Sequence, residues 1–126
     1  MTIRLALLAS CVALPAYAAS SFDGQYHGTL SRDPGGYNAA SCSQGANILM
    51  TVEDGKLQYN HFQNAVLKAT VGPEGSFAAK AESRASQGRT AGSLTIALNG
   101  RITGTTIAAT VKVESQCNYA LSLRKG

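Results

Sequence analysis

Enzyme chemistry needs a nucleophile with its base, paired carboxylates or a cluster of metal ligands. This chain of 126 residues offers little of any of them. Its seven acids, Asp23, Asp33, Glu53, Asp54, Glu74, Glu82 and Glu114, fall mostly at turns or on outward-facing parity, and none forms a recognisable spacing. Its two histidines stand on opposite parities, His27 outward and His61 inward, so they share neither a metal nor a proton relay. No G-x-S-x-G, H-E-x-x-H or P-loop pattern occurs. Cys42 and Cys117 with two distant histidines do not supply the four ligands of a metal site. No catalytic residue, metal or cofactor is therefore expected. His61 alone, inward and near an open end, could act as a buried acid or base; the competing reading is a rim histidine with its ring hydrogen-bonded.

The N-terminus reads as an address. Arg4 supplies a positive n-region, Leu5 to Leu14 an apolar stretch, and Pro15 a break before the small-residue site Ala16-Tyr17-Ala18. Cleavage after Ala18 is expected, leaving residues 19–126 as one domain in the periplasm or outside the cell. The apolar stretch is far short of the ~20 residues of a membrane span. Leu8-Ala9-Ser10-Cys11 resembles a lipobox, but the apolar run continues past Cys11 to a better site. Loss of the leader leaves Cys42 and Cys117 as an even pair in an oxidising compartment, where a structural disulfide is expected.

Charged residues make up 14% and hydrophobic ones 44%, too apolar for disorder and too short for two domains. The composition also excludes a coiled coil, a nucleotide-binding α/β fold and a helical membrane transporter. Without Arg4 the chain carries ten basic and seven acidic residues, a net charge of +3. That excess is scattered and lacks aromatic–basic interleaving, so no nucleic-acid partner is expected.

From Phe22 onwards the hydrophobic period is two. Eight alternating runs follow one another, from Phe22–Leu30 to Cys117–Leu123, with no convincing helix between them. Asp54-Gly55 fits a primed two-residue turn, Gly72 to Gly75 a four-residue turn and Gly104 a tight one, while Gly100 suggests a bulge or bend. The expected fold is all-β: an eight-stranded antiparallel up-and-down meander, closed or nearly closed into a small barrel, with a two-sheet sandwich as the alternative. In a meander, successive loops alternate between two ends. The tight turns fall at one end and the long connections, Ser31 to Gly45 and Glu82 to Gly92, at the other. Cys42 and the start of the last strand at Cys117 reach that same end, so the topology itself brings the cysteines together.

Long loops in a small domain are commonly functional, and the long-loop end is the expected site. Arg32 and Tyr37 belong to the first loop, Arg84 and Arg89 to the second. Tyr59, His61, Tyr119 and Tyr26 are placed on the inward parity near it. Tyr and Arg are enriched at the centres of protein interfaces, so a non-enzymatic module binding an envelope or secreted protein partner is expected. The alternative is a small-molecule carrier of lipocalin- or avidin-like architecture with its ligand in the barrel mouth. Inward Ala65, Ala69, Ala79, Ala81 and Ala109 would leave room for a ligand, or would let two walls approach closely.

The phrases Phe22-Asp23-Gly24-Gln25-Tyr26-His27-Gly28, Val52-Glu53-Asp54-Gly55-Lys56-Leu57, Val71-Gly72-Pro73-Glu74-Gly75-Ser76-Phe77, Gly100-Arg101-Ile102-Thr103-Gly104 and Cys117-Asn118-Tyr119-Ala120-Leu121-Ser122-Leu123 carry a resemblance. They are similar to those of small uncharacterised exported proteins of Gram-negative bacteria, mostly alphaproteobacteria. The resemblance implies export and an all-β domain. That family has no established activity, so it implies no site residues.

Overall fold

A computed structural model describes residues 21–62, 65–84, 93–114 and 116–126. The expected leader, Met1 to Ala18, and Arg89 lie outside the described residues. The chain forms β1 (Gly24–Arg32), β2 (Gly45–Glu53), β3 (Lys56–His61), β4 (Ala65–Thr70), β5 (Ser76–Arg84), β6 (Ser93–Thr103), β7 (Thr106–Val113) and β8 (Cys117–Lys125). All eight belong to one antiparallel sheet in the order β4-β3-β2-β1-β8-β7-β6-β5. The sheet curls into a nearly closed barrel, not a two-sheet sandwich. β1 pairs with β8 from Tyr26↔Lys125 to Arg32↔Tyr119, joining the first and last strands.

The period of two decides which side chains fill the barrel. In β3 the burial alternates without a break, with Leu57, Tyr59 and His61 inside and Lys56, Gln58 and Asn60 outside. Tyr26, Leu30, Met50, Leu57, Tyr59 and Leu67 are fully enclosed in one half of the sheet, and Ile96, Leu98, Ile102, Ile107 and Val111 in the other. Burying each contributes roughly 1.5–3 kcal/mol. Ala65, Ala69, Ala79 and Ala109 join the same cluster. Small residues among large ones let the walls interdigitate, and these buried side chains pack into one cluster inside the barrel.

At the β2–β3 turn Asp54 and Gly55 both adopt positive φ, 50° and 75°. That is the primed geometry whose twist matches the flanking strands. The Asp23 carboxylate accepts both turn amides, Asp54 N–H at 2.9 Å and Gly55 N–H at 3.1 Å. The turn from Gly72 to Gly75 forms too, but the strands it joins do not pair. After it, Gly75 accepts the Ile102 N–H at 2.9 Å, so the backbone of β5 is engaged by β6. β4 and β5 lie alongside one another with no ladder between them. The barrel's seam thus falls between two strands that are consecutive in the chain.

Gly100 makes no bulge. The register runs unbroken through Phe77↔Gly100 and Gly100↔Ala109. The glycine is there for space: a Cβ would stand 2.5 Å from Phe77 Cζ and 2.6 Å from Ala109 Cβ. β5 also runs further than its hydrophobic run implies, with Glu82 to Arg84 continuing the pairing with β6.

Candidate functional site

Loop 33–44 connects β1 to β2 at the long-loop end and is pinned along much of its length. The Cys42–Cys117 disulfide ties it to the first residue of β8, with the Cα atoms 5.8 Å apart. The start of β8 and the residue before it take up the loop's backbone. Asp33 N–H donates to Asn118 O at 2.9 Å, and Ala39 N–H donates to Gln116 O at 2.9 Å. Asn118 N–H donates to Asn38 Oδ1 at 2.7 Å, while its side-chain Nδ2 donates to Tyr37 O at 2.6 Å. Asp33 accepts Gly35 N–H through Oδ1 at 2.9 Å, an Asx turn that shapes the start of the loop. Tyr37 stands between these anchors, and its side chain is 70% exposed.

Arg32 is the last residue of β1 and belongs to the same construction. Its Nε donates to Ser43 O at 3.3 Å and its Nη2 donates to Cys42 O. The guanidinium therefore clamps the end of the loop, a role that comes from its position at a strand end.

Behind the loop, the ends of β3 and β8 build an aromatic mouth. Tyr59 and His61 point the same way because they are two apart on one strand. The Tyr59 hydroxyl lies 3.1 Å from His61 Nδ1. The His61 ring meets Phe62 at 4.6 Å, Tyr119 at 5.6 Å and Tyr59 at 5.8 Å between centroids. Phe62 has φ of 47°, a left-handed conformation that a bulky residue rarely adopts. A cavity of about 250 Å³ opens between this cluster, Ser41, Ser43, the disulfide, Leu94, Ile96 and Val113.

Burial governs the protonation of the mouth. His61 is pushed down to about 4 and is neutral at pH 7. Tyr59 is pushed well up, first by burial and then by the neighbouring Tyr119. Tyr119 is raised by burial, with the Ser43 backbone and Arg32 opposing the shift.

Tyr26 belongs to the other end of the molecule. It pairs with Lys125 near the start of β1, and its hydroxyl donates to Phe22 O at 2.7 Å. Inward parity gives the right face, but β1 begins at the tight-turn end. Burial, with Asp23 adding to it, raises its pKa. Arg84 is the last residue of β5. The structure thus brings Arg32, Tyr37, Tyr59, His61 and Tyr119 to one end and leaves Tyr26 at the opposite one.

No known family model, characterised protein or solved structure matches the chain.

The strand pattern does not point to four contributors to this end: Phe62, Ser41 and Ser43, which line the mouth cavity, and Asn118, which anchors the loop. Phe62 carries a usable signal, as a large apolar residue next to an inward histidine in a short connection. Asn118 offers none beyond its place beside Cys117, because its function lies in contacts 80 and 81 residues away. Two larger concavities, about 500 and 420 Å³, lie on the outer face of β2, β3 and β4. Thr51 and Gln58 line both, and Phe62 lines the smaller one as well as the mouth cavity.

Proposed function

We propose that this protein is an exported, non-enzymatic binding module that engages an envelope or secreted protein partner through its long-loop end. One observation carries the reading: Tyr37 is 70% exposed on a loop whose backbone is held by the disulfide and by Asn118. A large aromatic side chain on a fixed backbone gives contact area while little conformational freedom is lost on binding. Tyrosine is also the residue type that interface centres favour. Export is supported by the leader pattern of Met1 to Ala18 and by the disulfide. The non-catalytic reading rests on the lack of any recognisable catalytic spacing in the sequence, and burial holds His61, the one candidate acid or base, near 4. A general acid–base group works best with a pKa near the operating pH.

The test is site-specific photo-crosslinking in cells that make the protein. p-Benzoylphenylalanine replaces Tyr37 in one strain and Val66, exposed on the outer face of β4, in another. The expected result is a discrete protein adduct from position 37 that position 66 does not give, with Asn118→Ala weakening it and leaving the melting temperature within a few degrees. Adducts identical at both positions, or none at 37, would overturn the reading.

A further inference from the structure

The mouth cavity is lined by a buried ring, His61, with one nitrogen that the fold leaves facing it. His61 is 4% exposed, and its Nδ1 is taken by the Tyr59 hydroxyl. Its Nε2 makes no hydrogen bond among the described residues. Yet no buried side-chain nitrogen or oxygen among those residues lacks a partner. Nε2 is therefore the ring atom that opens into the cavity His61 lines.

The Tyr59 hydroxyl fixes what Nε2 carries. Tyr59 is enclosed, and Nδ1 is the one acceptor its hydroxyl has among the described residues. A proton on Nδ1 would leave the hydroxyl hydrogen buried and unpaired, which is unfavourable in an apolar interior. The hydroxyl accordingly donates to Nδ1, and the neutral ring keeps its proton on Nε2. The cavity thus receives the buried His61 N–H donor on a largely apolar wall of Phe62, Leu94, Ile96, Val113 and the disulfide, with Ser41, Ser43 and Tyr119 completing the lining. Arg32, at the same end, has Nε and Nη2 engaged by the Ser43 and Cys42 carbonyls.

A largely apolar pocket with a buried, directed donor selects a largely apolar molecule that places an acceptor against that donor. We propose that the mouth cavity is a binding site for a small apolar ligand bearing one carbonyl- or ether-type oxygen, which accepts the His61 Nε2–H. The volume of about 250 Å³ equals that of about eight waters, so the ligand is the size of a substituted benzene ring. Tyr37 is not part of this wall, so the site stands or falls independently of the partner-binding reading.

The test uses a matched pair of probes. Acetophenone and α-methylstyrene have nearly the same shape, but only the ketone has an oxygen acceptor. Each is titrated into the full-length ¹⁵N-labelled protein by NMR, following the His61 ring and the amides of Ile96 and Val113. The expected result is saturable shifts at all three, with the ketone binding about fivefold tighter, the typical worth of one hydrogen bond. The ¹⁵N shifts of the free protein should also report the Nε2–H tautomer, and Tyr59→Phe, which is nearly isosteric, should weaken that preference and the fivefold selectivity together. Equal affinity for the two probes, or an Nδ1–H tautomer in the wild type, would overturn the donor assignment. No saturable shift with either probe up to its solubility would overturn the site.

Discussion

Acidification should weaken the fold through His61. The ring titrates near 6.5 in an unfolded chain and at about 4 in the barrel. Between those values the unfolded state binds the proton and the folded state refuses it, so stability falls as pH drops below 6.5 and levels off below 4. A shift of that size is worth up to about 3 kcal/mol, and roughly 2.5 kcal/mol is already lost at pH 4.5. The titratable groups facing the ring are Tyr59 and Tyr119. Both have raised pKa values and stay neutral throughout that range. Urea denaturation at pH 7.5, 6.5, 5.5 and 4.5, on wild type and His61→Leu, isolates the effect. The variant begins less stable but lacks the imidazole, while every carboxylate is common to both proteins. The wild type should lose about 2.5 kcal/mol more than the variant between pH 7.5 and 4.5. Parallel profiles, or an NMR titration placing His61 at 6 or above, would refute the desolvation argument.

Reduction or Cys42→Ser should destabilise the domain by about 4 kcal/mol, the loop-closure value for a bridge spanning about 75 residues, measured by urea denaturation with and without reductant. Asp23→Asn should cost about 1 kcal/mol by weakening two charge-assisted bonds at an exposed turn, with amide exchange accelerating at Asp54 and Gly55. Gly100→Ala should cost at least about 1–3 kcal/mol, because Phe77 must move off its rotamer and the new Cβ also stands 2.6 Å from Ala109 Cβ and 2.9 Å from the Ala108 carbonyl oxygen. Gly28→Ala should be far worse, since its Cβ would meet the Ser122 carbonyl and stand 2.5 Å from Leu123 Cα, both backbone atoms; circular dichroism would show little folded protein. Equal tolerance at the two glycines would contradict the packing account of both.

Faces are legible in the amino-acid sequence, heights and pairings less so. The alternation of Leu57, Tyr59 and His61 fixes their common face because neighbouring side chains in a strand point opposite ways. The even spacing of turns assigns each connection to an end, which is why strand order alone is enough to join Cys42 to Cys117. Tyr26 shows what parity omits: it reports the face, while strand direction reports the height, and β1 starts at the tight-turn end. The seam between β4 and β5 is hidden for another reason. Whether consecutive strands pair depends on how the whole sheet staggers as it closes, which no local pattern records. Arg32 has the look of loop chemistry, but the carbonyls that claim it belong to residues ten and eleven positions on. Tyr37, by contrast, stands where the long connection puts it, and Asn118 supplies the reason for its fixed backbone.

The seam has a consequence for how the chain finds its fold. In the spatial order of the sheet, every neighbouring pair except β1 and β8 is a hairpin. That one exception unites two strands from opposite halves of the sequence and must close the longest loop of all, an entropic barrier that slows folding. At its far end Gly126 N–H donates to Gln25 O at 3.1 Å. A short linker from there to residue 21, which keeps Phe22 and Asp23, with a new opening between Pro73 and Glu74, would reorder the chain as β5 to β8 followed by β1 to β4. Every strand pair would then be sequence-adjacent, and such a circular permutant should reach the same barrel faster than the natural chain does.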